Sequence, residues 1–203
     1  MAPVSGRRTP TLEVRDALLR AARALLDERG PDALAVRDIA ARAGVSPMGV
    51  YNRFGAKDGI VDALVEQGFT ELTEAVTVEP DADPFVYLAA GLTAYRAFAL
   101  ANPRMYRLMF DRPVAGYVPS EQAMRAATGS FERLVSGVRL AMAAGVLEVG
   151  DAREVAQRLW ASVHGAVSLE LRGTVFAEDV DAHFAALLRT LLRGLAVRPD
   201  AVP

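Results

Sequence analysis

Apolar positions recur along this chain at helical spacing. From Thr11 to Arg29, Leu18, Leu19, Ala22, Leu25 and Leu26 fall at the i, i+3/i+4 intervals of a helix packed on one side. Gly30-Pro31 ends that helix. A fourth helix begins at Lys57 and reaches about Val76, with Ile60, Val61, Leu64, Val65, Phe69 and Leu72 on its apolar side. Glu79 to Pro84, EPDADP, is acidic and Pro-bracketed, so it reads as a linker. Helical spacing resumes from Phe85 to Ala101 and again from Arg104 to Phe110, with Asn102-Pro103 breaking the two apart. Asp111 to Pro119 is a Pro/Gly loop. A long helix then runs from Ser120 to Ala144 through Met124, Phe131, Leu134, Val138 and Leu140, and Gly145 stops it. Asp151 to Arg172 and Glu178 to Leu195 are the last two helices. No segment shows strand alternation, so the expected fold is all-α with about nine helices. The expected division is an arm over 1–10, a small head over 11–58 and a helical body over 59–197.

Leu34 to Lys57, LAVRDIAARAGVSPMGVYNRFGAK, organises the rest. Ile39 and Ala40 share one face of a first short helix, with Ala43 a turn on. Gly44 stands where the backbone must leave that helix with positive φ. Val45 plugs the corner, Ser46 can cap a second helix with its hydroxyl, and Pro47 suits the first helical position. Val50 and Phe54 point inward. Two short helices across a tight Gly turn form a helix-turn-helix, whose second helix is the one that enters a major groove. Its outer face carries Pro47, Met48, Gly49, Tyr51, Asn52 and Arg53. Tyr51 and Lys57 are the expected phosphate ligands, while Met48, Asn52 and Arg53 are candidates for contact at or near base edges. Arg37, Ser46, Pro47 and Gly49 complete the expected face, and Gly49 would let backbone approach a sugar-phosphate strand. Lys57 opens a helix whose free N–H groups already favour an anion.

Charge changes this picture little. Residues 1–60 hold ten Arg/Lys against seven Asp/Glu, or +3, and the remainder thirteen against eighteen, or −5, giving the overall −2. A mildly basic head on an acidic body fits a DNA reader of which only the head touches DNA. Arg7 and Arg8 in the arm could follow a phosphate strand, though a solvated tail is the plainer reading. The absence of cysteine removes disulfides, thiolate metal sites and a Cys nucleophile. No run of about 18 apolar residues stands out as a bilayer span, and MAPVSGRRTPT lacks the apolar core of a secretory signal, so a cytoplasmic protein without a membrane partner is expected.

The run from Val36 through Lys57 resembles the DNA-binding domain of the TetR family of transcriptional regulators. Ile39, Ala40, Ala43, Gly44, Val45, Ser46, Tyr51, Phe54 and Lys57 stand at that family's characteristic positions without a gap, and the likeness covers about residues 12–64. Trp160-x-x-x-His164-Gly165 and the stretch Ala94 to Phe110 resemble the C-terminal domain of one TetR subgroup. The resemblance implies a homodimer on a double-stranded operator, usually a repressor, with the first helix bracing the head and Lys57 clamping phosphate. It also implies a small-molecule effector in the second half. Three positions depart from the family: Ala35 and Ala56 stand where Ser or Thr is common, which removes two capping hydroxyls, and Arg53 stands where His is frequent.

In the second half, Trp160 and His164 share a helix face. His164 reads as a packed, hydrogen-bonded core residue or as a polar group in an effector cavity. A metal site would need more ligands than His183 supplies, and no nucleophile motif accompanies it, so neither enzyme nor cofactor is expected. Tyr95, Phe98, Met105, Tyr106, Met109, Met124, Phe131, Trp160 and His164 are the candidate lining of a pocket for an apolar or aromatic effector. The last two helices are apolar on more than one face, and Val163, Val167, Leu171, Phe184, Leu188, Leu191 and Leu192 are the candidate dimer contacts. The alternative is an all-α small-molecule-binding protein or enzyme that does not bind DNA.

Overall fold

The computed structural model describes residues 11–77, 83–111 and 113–198, the side chains of Thr11 and Leu12 excepted. The arm over 1–10 and most of the 79–84 linker lie outside the described residues. Among the described residues nine α-helices follow one another: α1 Thr11–Arg29, α2 Val36–Ala43, α3 Pro47–Phe54, α4 Lys57–Ala75, α5 Pro84–Ala101, α6 Pro103–Phe110, α7 Glu121–Ala143, α8 Ala152–Leu171 and α9 Val180–Arg193. A 3-10 turn, Pro31–Ala33, sits between α1 and α2. No β-strand occurs among the described residues; one isolated antiparallel bridge pairs Leu147 with Ala196. The all-α expectation therefore holds, with element bounds within two residues of those read from periodicity.

Caps explain the small shifts. Asp151 accepts from the Arg153 and Glu154 N–H groups and stands outside α8, and Asp179 does the same for α9 through Ala182. Asp83 caps α5 through the Phe85 N–H. Each side chain satisfies donors that the first helical turn leaves open.

The chain divides into two compact units, each with its own core. The first holds the described residues up to Gly68 together with Arg104–Met124. The expected boundary at 58/59 thus falls inside one packed body. The reason is that α4 completes the head's core. Ile60, Val61 and Leu64 are fully buried, in a unit whose interior also holds Leu18, Ala22, Leu25, Leu26, Leu34, Ile39, Ala40 and Val50. α6 joins it through Met105, Tyr106, Leu108 and Met109. A Cβ on Gly68 of α4 would lie 2.7 Å from the Met109 sulfur and 2.9 Å from that of Met105, so α6 crosses α4 where only hydrogen stands between them.

The second unit holds Phe69–Pro103 and the chain from Arg125 on. Phe85, Leu88, Leu92, Tyr95, Phe98 and Ala99 of α5 are buried, as are Val155, Ala156, Leu159, Val163 and Val167 of α8. Gly137 of α7 meets α5 closely, since a Cβ there would fall 3.1 Å from Leu88 Cδ2. α5 also corrects the expectation that no apolar run has membrane length. Pro84–Ala101 is 18 residues with mean hydropathy 1.2, enough to cross a bilayer by length and composition. Six of its residues are core, and it carries the ion-paired Arg96.

Candidate nucleic-acid interface

α2 and α3 are held at their corner by backbone geometry. Gly44 adopts φ 67°, ψ 28°, the left-handed conformation that favours glycine, and its N–H bonds back to α2 carbonyls. The Val45 N–H then reaches the Ala40 carbonyl at 3.0 Å. Ile39, Ala40 and Val50 are buried between the helices and α1. That anchorage turns the opposite face of α3 outward. Ser46, Pro47, Met48, Tyr51 and Asn52 are exposed, with Met48 at 62% and Tyr51 at 49%. Met48, Tyr51 and Asn52 follow i, i+3, i+4 spacing and so form one stripe. Arg37 is exposed on α2, while Gly49, Arg53 and Lys57 are half-buried beside the stripe.

Two expectations change in detail. Ser46 stands at the N-cap with extended backbone, but its hydroxyl makes no capping bond; the Gly49 N–H instead bonds to the Ser46 carbonyl at 2.8 Å. The third-residue N–H that a capping hydroxyl would take is thus held by the Ser46 carbonyl, and Ser46 stays on the exposed surface. Phe54 is only half-buried. The Arg15 guanidinium lies over its ring at 5.4 Å, so a cation covers what apolar core does not. Ala35, as expected of alanine, caps α2 with no side-chain bond.

The head carries contacts that periodicity does not reveal. Arg42 of α2 grips Glu28 at the end of α1 with both nitrogens, at 2.7 and 2.5 Å. The Arg42 hydrogen bond holds the Glu28 carboxyl below its usual range. Arg104 donates to the Asp27 carbonyl at the C-terminal end of α1. Asp62 of α4 accepts from the Tyr117 hydroxyl at 2.9 Å and from the Ser120 N–H at 2.8 Å. Its second oxygen accepts from the Ser120 hydroxyl at 2.5 Å. This carboxylate therefore pins the 113–120 loop against the helix that begins at Lys57. Isolated Asp, Arg and Glu residues carry no periodic signal, so nothing in the sequence marks these pairs.

The candidate effector residues fall in both units. Met105, Tyr106 and Met109 fill the core of the first, and Met124, 46% exposed, is not enclosed as a pocket wall should be. In the second, Tyr95, Trp160 and His164 form a hydrogen-bonded chain. The Trp160 indole N–H reaches the Tyr95 hydroxyl oxygen at 3.3 Å, and that hydroxyl lies 2.9 Å from His164 Nδ1. Phe131 packs edge-on against Trp160, ring centres 6.1 Å apart, and Phe98 is buried on α5. His164 is thus a hydrogen-bonded residue at the α5–α8 contact. A shallow cleft of about 180 Å³ opens elsewhere, among Leu147, Glu148, Asp151, Glu154, Arg158 and Leu195, and none of the candidates lines it. Among the described residues no three His, Cys, Asp or Glu side chains converge as metal ligands would.

The candidate dimer residues need correction. Val163, Val167, Phe184, Leu188 and Leu192 are buried within the chain itself, so a partner cannot reach them. They belong to the α8–α9 seam and the unit's core; Leu171 and Leu191 are half-exposed. The outer faces carry Ala161, Gly165 and Leu169 on α8 and Ala182, Ala185 and Ala186 on α9. Arg96 fastens this seam from α5. It bonds Glu170 at 2.7 and 2.6 Å and Asp181 at 2.6 Å, and lies 4.9 Å over the Phe184 ring. The Glu170 hydrogen bonds raise its pKa further.

A buried corner that turns a stripe of exposed side chains outward on a short second helix defines a DNA-reading helix-turn-helix protein, here with a separate helical unit. Comparison with known proteins agrees. Residues 18–64 match the family model described as bacterial regulatory proteins, tetR family, and residues 88–191 match the tetracyclin repressor-like C-terminal domain. The chain belongs to the TetR family of DNA-binding transcriptional regulators. It is 44% identical over 79 residues to the HTH-type transcriptional repressor Rv3405c of Mycobacterium tuberculosis, a match over 38% of this chain and 42% of that one. A protein of unknown function from Rhodococcus sp. RHA1 is similar over 90% of this chain and 95% of its own, at 33% identity and a TM-score of 0.81. A TetR variant from Acinetobacter baumannii AYE, solved with minocycline, is similar at 26% identity and a TM-score of 0.61, over 87% and 93% of the two chains.

Proposed function

We propose that this regulator works as a homodimer whose two α3 helices enter the major groove in the two halves of a pseudo-palindromic operator, as a repressor released by a small molecule. The exposed Met48–Tyr51–Asn52 stripe above buried Val50 carries the reading. Tyr51 and Lys57 bond phosphates. Met48, Asn52 and Arg53 meet base edges or their surroundings, and Arg37, Ser46, Pro47 and Gly49 flank them. The half-sites are spaced by about one helical turn of DNA or a multiple of it, about 34–36 Å.

The effector is apolar or aromatic and binds in the second unit beside Tyr95, Trp160 and His164, whose polar atoms orient it while Phe98 and Phe131 supply apolar contact. The minocycline-bound Acinetobacter relative supports that class of ligand. A coupling of about 1–3 kcal/mol suffices to release DNA. The dimer pairs the outer faces of α8 and α9, where Ala161, Gly165, Ala185 and Ala186 permit close helix approach. The protein acts in the cytoplasm and catalyses no reaction.

The test is a gel shift with the DNA upstream of the protein's own gene, at two salt concentrations and with aromatic compounds added. Binding that weakens steeply with salt and is relieved by one compound is expected. Salt-independent or absent duplex binding overturns the reading and leaves an all-α small-molecule binder.

A further inference from the structure

This inference rests on the DNA-binding reading and deepens it, by assigning one base group to one side chain. Met48 is the large apolar side chain that α3 presents, 62% exposed at the second helical position. Of its exposed neighbours, Ser46, Tyr51 and Asn52 offer hydrogen bonds, and Pro47 adds only a short ring at the helix start. An unbranched thioether so exposed lies outside the core, and most of its contact area is available to an outside partner.

Gly49 beside it sharpens the point. Glycine inside a helix costs about 1 kcal/mol relative to alanine. Yet a Cβ at Gly49 would meet only Val45, at 3.6 Å, an ordinary contact, and its backbone is helical. Nothing inside the fold requires glycine at this position. The missing side chain lowers the surface next to Met48, as a close external partner requires.

In a major groove, hydrogen-bond donors and acceptors line the base edges, and the apolar group offered there is the thymine 5-methyl. We propose that Met48 packs on a thymine methyl in each half-site, so that an A·T pair at that position determines specificity, with Gly49 allowing the helix to come close enough.

The experiment begins by selecting a tight-binding duplex from a random-sequence library with the full chain. In that duplex each thymine is replaced in turn by deoxyuridine, which removes the methyl and keeps every hydrogen bond. With the native protein, one thymine per half-site should lose about fourfold in affinity on replacement, and the symmetric pair together about fifteenfold, as burial of one methyl group implies. With Met48→Ala, which lies on the surface and leaves the fold intact, those replacements should have no effect. Met48→Leu should keep part of the preference. Insensitivity of the native protein at every thymine overturns the proposal, as does a methyl preference that survives in Met48→Ala. If no duplex is enriched, the DNA-binding reading itself fails and this inference falls with it.

Discussion

A Cβ placed on Gly59 would lie 1.9 Å from the carbonyl oxygen of Phe54, and 2.9 Å from its carbonyl carbon. The first turn of α4 is therefore seated against the C-terminal end of α3 with no room for a side chain. Backbone, unlike a flexible side chain, cannot swing aside. Gly55, at φ 70°, makes the turn between the two helices, and the Ala56 N–H bonds to the same Phe54 carbonyl at 2.7 Å. Lys57 is thereby held at a set place relative to Tyr51.

Gly59→Ala should force α3 and α4 apart. Overpacking of this kind costs about 1–3 kcal/mol, read as a lower denaturant midpoint. Operator affinity should fall more than stability alone explains, because Lys57 moves with α4. A variant with native stability and native affinity would show that the two helices do not meet this closely.

Tyr51→Ala and Lys57→Ala should each weaken binding to every duplex and reduce the salt slope by about one unit. Arg53→Ala should instead relax sequence preference. Titrations on selected and scrambled duplexes at several salt concentrations distinguish these effects. Unchanged slopes in both phosphate variants would move the contact face elsewhere.

Asp62→Ala removes the acceptor shared by Tyr117 and Ser120. Hydrogen bonds to a charged group contribute about 1.5–3 kcal/mol, and the exposed Ser120 places this site at the lower end. Protease cleavage within 113–120 should accelerate while α1–α3 stay protected. Native resistance in that loop would show that other contacts hold it.

Tyr95→Phe removes the hydroxyl between Trp160 and His164. The expected loss is about 1–2 kcal/mol. Trp160 is the chain's single tryptophan, so intrinsic fluorescence reads this place alone. The emission should shift in the variant, and an effector bound here should quench the native protein. Identical emission from both proteins would mean the chain of hydrogen bonds is absent in solution.

Acid should loosen the α1–α2 clasp. Arg42 lowers the Glu28 pKa from 4.5, so the pair's stabilisation is complete above that value and is lost as pH falls through the depressed one. Melting temperatures of the native protein and Arg42→Gln should therefore differ most near neutrality and converge below pH 4.5. A gap that stays constant down to pH 3 would exclude an electrostatic origin.

What the sequence determined alone is local. Helix periodicity, the Gly44 corner, Pro47 at a helix start and the inward Val50 all depend on residues within a few positions of one another, where spacing dictates facing. Those signals were enough for the fold class and for the outward stripe of α3. The tertiary structure decided whatever depends on which distant surface covers a side chain. Val163, Val167, Phe184, Leu188 and Leu192 have the same apolar spacing whether a partner or their own chain covers them, and only packing placed them inside. Asp62 with Tyr117, Glu28 with Arg42 and Arg96 with Glu170 join positions 55, 14 and 74 residues apart, separations that no periodicity encodes. Glycine shows the same division. Gly44 announces itself through its turn, while the need for Gly59 and Gly68 arises only once another backbone or a pair of methionine sulfurs comes to rest against them.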